Sequence, residues 1–136
     1  MQFNLRTDID LARLKERAFA EALLIFNKES TCHGRTLQQV RVDCLTGQAA
    51  ELYLIDYCGF KNDPRPYKDV LDTEDAPVEV KVTRKKENVK HVLRRANADA
   101  LELYKKYPKI LYIFVVTGYN DYKLHGIYNW NGKEFV

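Results

Sequence analysis

Residues 110–116 read Ile-Leu-Tyr-Ile-Phe-Val-Val, an unbroken apolar run rich in β-branched and aromatic side chains. Seven residues are far short of the roughly 20 needed to span a bilayer. A run of this length without polar alternation is the pattern of a strand covered on both faces. Such a strand needs sheet neighbours and a layer packed on either side, which excludes an all-helical protein. The chain of 136 residues is long enough to bury a core as a single domain spanning 1–136. With 46% apolar and 30% charged residues, it has the composition of a folded, water-exposed protein.

Other elements follow from periodicity. Thr7 and Asp10 resemble a capping box opening a helix that runs to about Phe26, with Leu11, Leu14, Ala18, Ala22 and Ile25 at helical spacing. A second helix is predicted from about Thr36 to Tyr57, with Gly47 as a point of bending or splitting and Gly59 as its stop. Val78, Val80 and Val82 alternate with Glu79, Lys81 and Thr83, the mark of a half-buried strand. With Tyr67–Asp72 before it and the turn chemistry of TEDAP between, residues 67–83 form a β-hairpin. Residues 86–106 read as a helix, and Lys123–Trp130 as a last strand followed by an Asn131-Gly132 turn. The order αα-βββ-α-ββ is that of an α/β protein with helices packed on a mixed sheet.

Charge is distributed unevenly. Residues 61–79 hold three basic and six acidic groups, whereas residues 80–109 hold ten basic and three acidic. A basic segment suits a polyanion. The adjoining acidic cluster would repel that polyanion unless a divalent cation lay between them. Cys32, Cys44 and Cys58 form no CxxC pair and are read as reduced thiols. The start MQFNLRTDID lacks a basic, apolar leader. No membrane association is expected, and a cytoplasmic setting is, either of the cell itself or of a host in which a viral protein acts.

The ionisable residues of the hairpin carry the chemistry. Glu79 and Lys81 share one strand face. If the hairpin pairs Asp69 with Lys81 and Leu71 with Glu79, Asp69 joins that face. Glu51, on the upstream helix, can approach the same sheet edge. Two carboxylates and an ammonium converging on one point are unfavourable unless a hard cation such as Mg²⁺ joins them. Asp72 is the alternative first acid, and a single bulge in the hairpin would select it.

Asp69, nine intervening residues and then Glu79-Val80-Lys81, preceded by a helical glutamate and followed by a basic helix, resemble the PD-(D/E)xK nuclease superfamily. Holliday-junction resolvases and many phage nucleases belong to it. The resemblance covers residues 45–117 and departs from the motif at Lys68, which stands where that motif has proline. It implies a restriction-endonuclease-like αβββαβ core, here with an extra N-terminal helix. It also implies a Mg²⁺-dependent endonuclease acting on DNA, with Mn²⁺ able to substitute. Asp69 and Glu79 would hold the metal, with Glu51 beside it or at a second ion, and Lys81 would be the catalytic lysine. Arg84, Lys85, Lys86, Lys90, Arg94 and Arg95 would follow the DNA backbone. A structure-selective or nicking enzyme, or a homodimer cutting both strands, suits this length. The alternative is a non-catalytic nucleic-acid- or protein-binding module that kept the fold.

Overall fold

The computed structural model describes residues 1–28, 32–63, 69–103 and 109–136. Its centre is the strand anticipated from the apolar run, β5 (Ile110–Thr117), in which Leu111 and Ile113 to Val116 are buried. On one side lies β4 (Pro77–Thr83), paired in parallel from Val78↔Ile110 to Thr83↔Val115. On the other lies β6 (Asp121–Asn129), antiparallel, with a bulge where Ile113 and Phe114 face Gly126 and Leu124. Three short strands complete the mixed sheet: β1 (Gln2–Asn4), β2 (Lys61–Asn62) and β3 (Val70–Leu71), in the spatial order β1-β6-β5-β4-β3-β2.

The parallel β4–β5 pair requires a crossover. A 3₁₀ turn (Lys86–Asn88) and a helix (Val89–Leu103) supply it. Helix numbering in chain order makes the earlier ones α1 (Leu5–Asp8), α2 (Leu11–Phe26) and α3 (Leu37–Cys58), and the crossover helix α4. Val89, Ala96 and Ala100 of α4 pack on Leu111, Ile113 and Val115. The opposite sheet face, with Val78, Val80, Phe114 and Val116, packs on Ala49, Ala50, Leu52 and Leu54 of α3. Helix α2 then covers α3 through Ala18 and Ala22 against Val40 and Cys44, small side chains that let the two helix backbones approach. Among the described residues no helix is long and apolar enough to cross a membrane.

The second helix fits its sequence. Thr36 and Gln39 form a reciprocal capping box, and Gly59 ends the helix in the left-handed region at φ +74°. It runs through Gly47 without splitting. The first helix differs. The chain breaks at Ile9, and Asp10 rather than Thr7 is the cap of α2, its carboxylate accepting from the N–H groups of Ala12 and Arg13. Thr7 instead lies in the single turn of α1, so the spacing in Thr7-x-x-Asp10 described two adjacent structures.

Strand β1 was not anticipated. Three residues are too few to show a period. Tertiary contacts hold them: the Phe3 ring stacks between Tyr53 and Tyr122, with centroids 4.1 and 4.6 Å away, and meets Phe114 edge-on. The C-terminal turn is as expected, with Trp130 paired to Phe135 and the Asn131 side chain accepting from the N–H groups of Lys133 and Glu134.

Phe3→Ala should destabilise the protein by about 3–5 kcal/mol, the cost of removing a buried aromatic ring. Urea unfolding followed by circular dichroism will read this. A midpoint within error of the wild type would mean that β1 contributes nothing.

Candidate active site

The β3–β4 hairpin places the ionisable residues. Its register pairs Val70 with Val78 and Leu71 with Pro77, two residues tighter than the expected Asp69–Lys81 pairing. The correction has a local cause. Asp72 closes a short loop: its side chain accepts from the N–H groups of Glu74 and Ala76, its backbone N–H donates to Ala76, and Asp75 adopts φ +62°. Asp72 is therefore engaged in the turn. Because the slip is an even number of residues, face parity survives. Extending the register one step beyond Val70 sets Asp69 opposite Glu79. There Asp69 Oδ2 accepts the Val80 N–H at 2.7 Å.

Glu79 and Lys81 share the α4 side of the sheet with their β5 neighbours Leu111 and Ile113. Lys81 Nζ lies 3.3 Å from Glu79 Oε1. A second ammonium comes from an unanticipated residue. Lys109, just before β5, places Nζ 2.7 Å from Glu79 Oε2, and its side chain is 0% exposed, against 37% for Lys81. Glu51, on α3, is itself buried, at 9% exposed, and is close enough to feel the charges of Asp69 and Glu79.

The electrostatics follow from this crowding. Burial pushes the Asp69 carboxyl up, and the charge of Glu79 adds to it. The Val80 N–H, Lys109 and Lys81 offset only part, and the result is about 7. Burial likewise raises Glu51 well above the usual carboxylate range, with Asp69, Glu21 and Glu79 adding and Arg17 opposing. Burial pulls the Lys81 ammonium down, but Glu79, Asp69 and Asp99 reverse this and hold it above its ordinary value.

A polar layer from α2 backs the cluster. Arg17 Nε donates to Gln48 Oε1 at 3.1 Å, and Arg17 Nη2 to Asn62 Oδ1 at 3.0 Å. The Gln48 amide donates to Glu21, which also accepts from the Cys44 thiol at 3.6 Å. Burial first, then Glu21, pushes that thiol up to about 12. Among the described residues, no three His, Cys, Asp or Glu side chains converge closely enough to cage a metal by themselves.

The basic residues follow β4 on the surface. Arg84, Lys85, Lys86, Lys90, Arg94 and Arg95 are all exposed. Arg84 turns to the α3 side, where Nη2 lies 3.4 Å from Thr46 Oγ1. The crossover carries the first turns of α4 to the Thr83 end of β4. The charge of Asp99, in the last third of α4, is one that reaches Lys81.

Comparison with known proteins gives no family model, no curated protein and no solved structure that matches this chain.

The raised carboxyls make a pH prediction. Asp69 binds its proton up to about pH 7 in the folded protein and only up to the ordinary 3.8 when unfolded. Unfolding therefore releases protons between those values, and stability falls as pH rises through that window. In chelator, the wild type should lose more thermal stability between pH 5 and pH 8 than Asp69→Asn does. Identical pH profiles by calorimetry would mean that Asp69 does not titrate in this way.

Proposed function

We propose that the protein is a metal-dependent nuclease that hydrolyses phosphodiester bonds in DNA. The observation that carries this reading is the gathering of Asp69 and Glu79 beside Lys81, with Glu51 close enough to feel the charges of Asp69 and Glu79, and with the Asp69 and Glu51 carboxyls pushed up by burial and by their neighbours. Charges gathered at such a cost are the mark of a functional site. The order α3-β2-β3-β4-α4-β5 supports it, because it is the αβββαβ succession of the superfamily that the hairpin motif resembles.

The donor chemistry fits a hard divalent cation. Mg²⁺ takes one or two carboxylates together with waters and a substrate phosphate, so three caging side chains are not required. Asp69 and Glu79 would hold it, with Glu51 beside them, and Mn²⁺ would substitute. When bound, such an ion would supply positive charge against the phosphate and lower the pKa of a water so that hydroxide is available as the nucleophile. The chain's own residues do the rest. The Val80 N–H holds the Asp69 carboxylate in place. Lys81, kept charged and partly exposed, can meet a non-bridging phosphate oxygen as negative charge develops on it. The exposed basic residues of 84–95 give a long DNA substrate its phosphate contacts away from the reacting centre.

A second reading is a nucleic-acid-binding module without catalysis. The observation that favours it is Lys109, whose ammonium already gives Glu79 a cationic partner.

Cleavage of a panel of linear, branched and single-stranded substrates separates the two. It should require Mg²⁺ or Mn²⁺ and stop in EDTA. Asp69→Ala, Glu79→Ala and Lys81→Ala should each reduce cleavage by about 10²-fold or more, and a double variant should lose little beyond a single one. Asp72→Ala should cost about 1 kcal/mol of stability for its turn hydrogen bonds and keep its cleavage. Activity in all three site variants would overturn the assignment of this site and the resemblance behind it, and no cleavage by the wild type in Mg²⁺ or Mn²⁺ would overturn the enzyme reading.

Lys90→Ala with Arg94→Ala should weaken DNA binding regardless of sequence and lower the salt slope by about 0.9 for each lost phosphate contact. Unchanged affinity and slope, measured by fluorescence anisotropy, would make these residues a plain solvated face.

A further inference from the structure

At the far end of β4 the sheet carries a cavity on the face opposite Lys81. Arg84 follows Lys81 by three residues, about 10 Å along an extended chain, and turns to the α3 side. There a cavity of about 170 Å³ lies beside the ends of the parallel strands β4 and β5, the edge at which open α/β sheets bind ligands. Leu5, Leu45 and Val116 give it apolar walls. Tyr122 also lines it, its ring held by stacking on Phe3 at 4.6 Å and its hydroxyl donating to the Thr46 carbonyl at 3.3 Å. Tyr119 is a further lining residue, yet it is 88% exposed. Gly118, at φ +68°, turns the chain there from β5 towards β6, and the Leu5 N–H donates to the Asn120 carbonyl at 2.7 Å. The open ring thus stands on a fixed turn, and packing does not account for it. The charge is one-sided. No carboxylate lines the cavity, and among the described residues Arg84 forms no ion pair. Its guanidinium makes one long contact, 3.4 Å to Thr46 Oγ1, which leaves most of its five N–H donors for an anion.

We propose that this cavity binds one unpaired nucleotide of a DNA strand, with the base against Tyr119 and Tyr122 and the phosphate on Arg84. The inference rests on the nucleic-acid reading above and goes beyond it, since phosphate contacts position a strand without engaging its bases. The occupant follows from the lining. An apolar cavity of about 150 Å³ takes benzene, so this one has room for a single ring such as a pyrimidine base and none for a base pair. Every base has a face that stacks on an aromatic side chain, and it offers that face to a protein only when splayed out of the helix. A phosphate accepts two N–H groups of an arginine side by side. A purely apolar ligand would leave Arg84 nothing to meet, and a bare phosphate would leave the apolar walls unused. Because Arg84 and Lys81 lie on opposite faces, the nucleotide held here is not the one cleaved. Its binding selects strands that carry an unpaired base near the cleaved bond.

The test is fluorescence anisotropy of the full chain with three dye-labelled DNA duplexes of one sequence: fully paired, with one bulged thymidine, and with one bulged abasic site. It is run in EDTA, and again in Mg²⁺ with Lys81→Ala so that the probes stay intact. The bulged thymidine should bind about tenfold or more tighter than either other duplex, the worth of one base stacked on an aromatic side chain. Tyr119→Ala should remove this preference and leave the paired and abasic duplexes bound as before, and Tyr119→Phe should keep it. Tyr119 is exposed, so replacing it does not endanger folding. Arg84→Gln should weaken binding of the bulged thymidine and lower its salt slope by about 0.9 for the lost phosphate contact. Equal binding of the thymidine and abasic bulges overturns the proposal. So does a Tyr119→Ala protein that keeps the preference, or an Arg84→Gln slope left where it was. Wild-type protein that binds none of the duplexes, with Lys81→Ala in Mg²⁺ equally inert, overturns the nucleic-acid reading and this inference together. Protein that prefers the bulged thymidine but cleaves nothing overturns only the nuclease reading and bears this one out.

Discussion

Strand β5 is covered on both faces, and the remaining architecture is arranged to cover it. Its α4-facing residues, Leu111, Ile113 and Val115, need one helix layer, and its α3-facing residues, Phe114 and Val116, need another. A parallel neighbour answers the first need, because the connection from β4 to a parallel β5 has to pass over one face and brings α4 with it, and α3 answers the second from the other face. The same pairing brings the chain just before β5 beside the start of β4. That juxtaposition, across 30 residues of sequence, is how Lys109 meets Glu79.

The candidate site therefore lies where apolar layers run out. Glu79 and Lys81 alternate with valines that fill the α3 side, so their places follow from the pleat that builds the core. Their surroundings do not resemble a surface charge ladder, in which solvent would screen each group. Glu51 comes from the helix packed under the sheet, and Asp69 from the end of a two-residue strand whose ladder its own side chain extends. Burial and mutual repulsion raise both carboxyls; the Val80 N–H, Lys109 and Lys81 offset only part of this at Asp69, and Arg17 only part at Glu51. Such a cluster is stable only while its charges remain paired, which ties the fold of this edge to the ions and protons it holds.

Helix α2 has a role beyond covering α3. Its Arg17 and Glu21 hold Gln48, one turn before Glu51, from the side away from the sheet. Both also act electrostatically on Glu51, in opposite directions. Helix α2 thus belongs to the electrostatics of the site as well as to the packing of the domain.

Periodicity made the apolar skeleton legible. The two-residue repeat of Val78-Glu79-Val80-Lys81-Val82 set which side chains face together, and that parity outlasted an error of two residues in the hairpin register. Thr36 and Gly59 marked the ends of α3 in the sequence, since capping depends on residues within a few positions of one another, while the Gln39 half of the capping box came from the structure. Asp10 as the cap of α2, and β1 as a strand, were hidden because a one-turn helix and a three-residue strand are too short to show a period. Lys109, Arg17, Glu21 and Gln48 carried no signal at all. Each matters through a partner about 30 residues away, and sequence spacing says nothing about distance through space once a strand pair, a crossover and a helix interface intervene. The chain by itself determined which residues could share a face. The tertiary structure decided which faces meet, because burial and charge pairing depend on contacts that form only when the layers close.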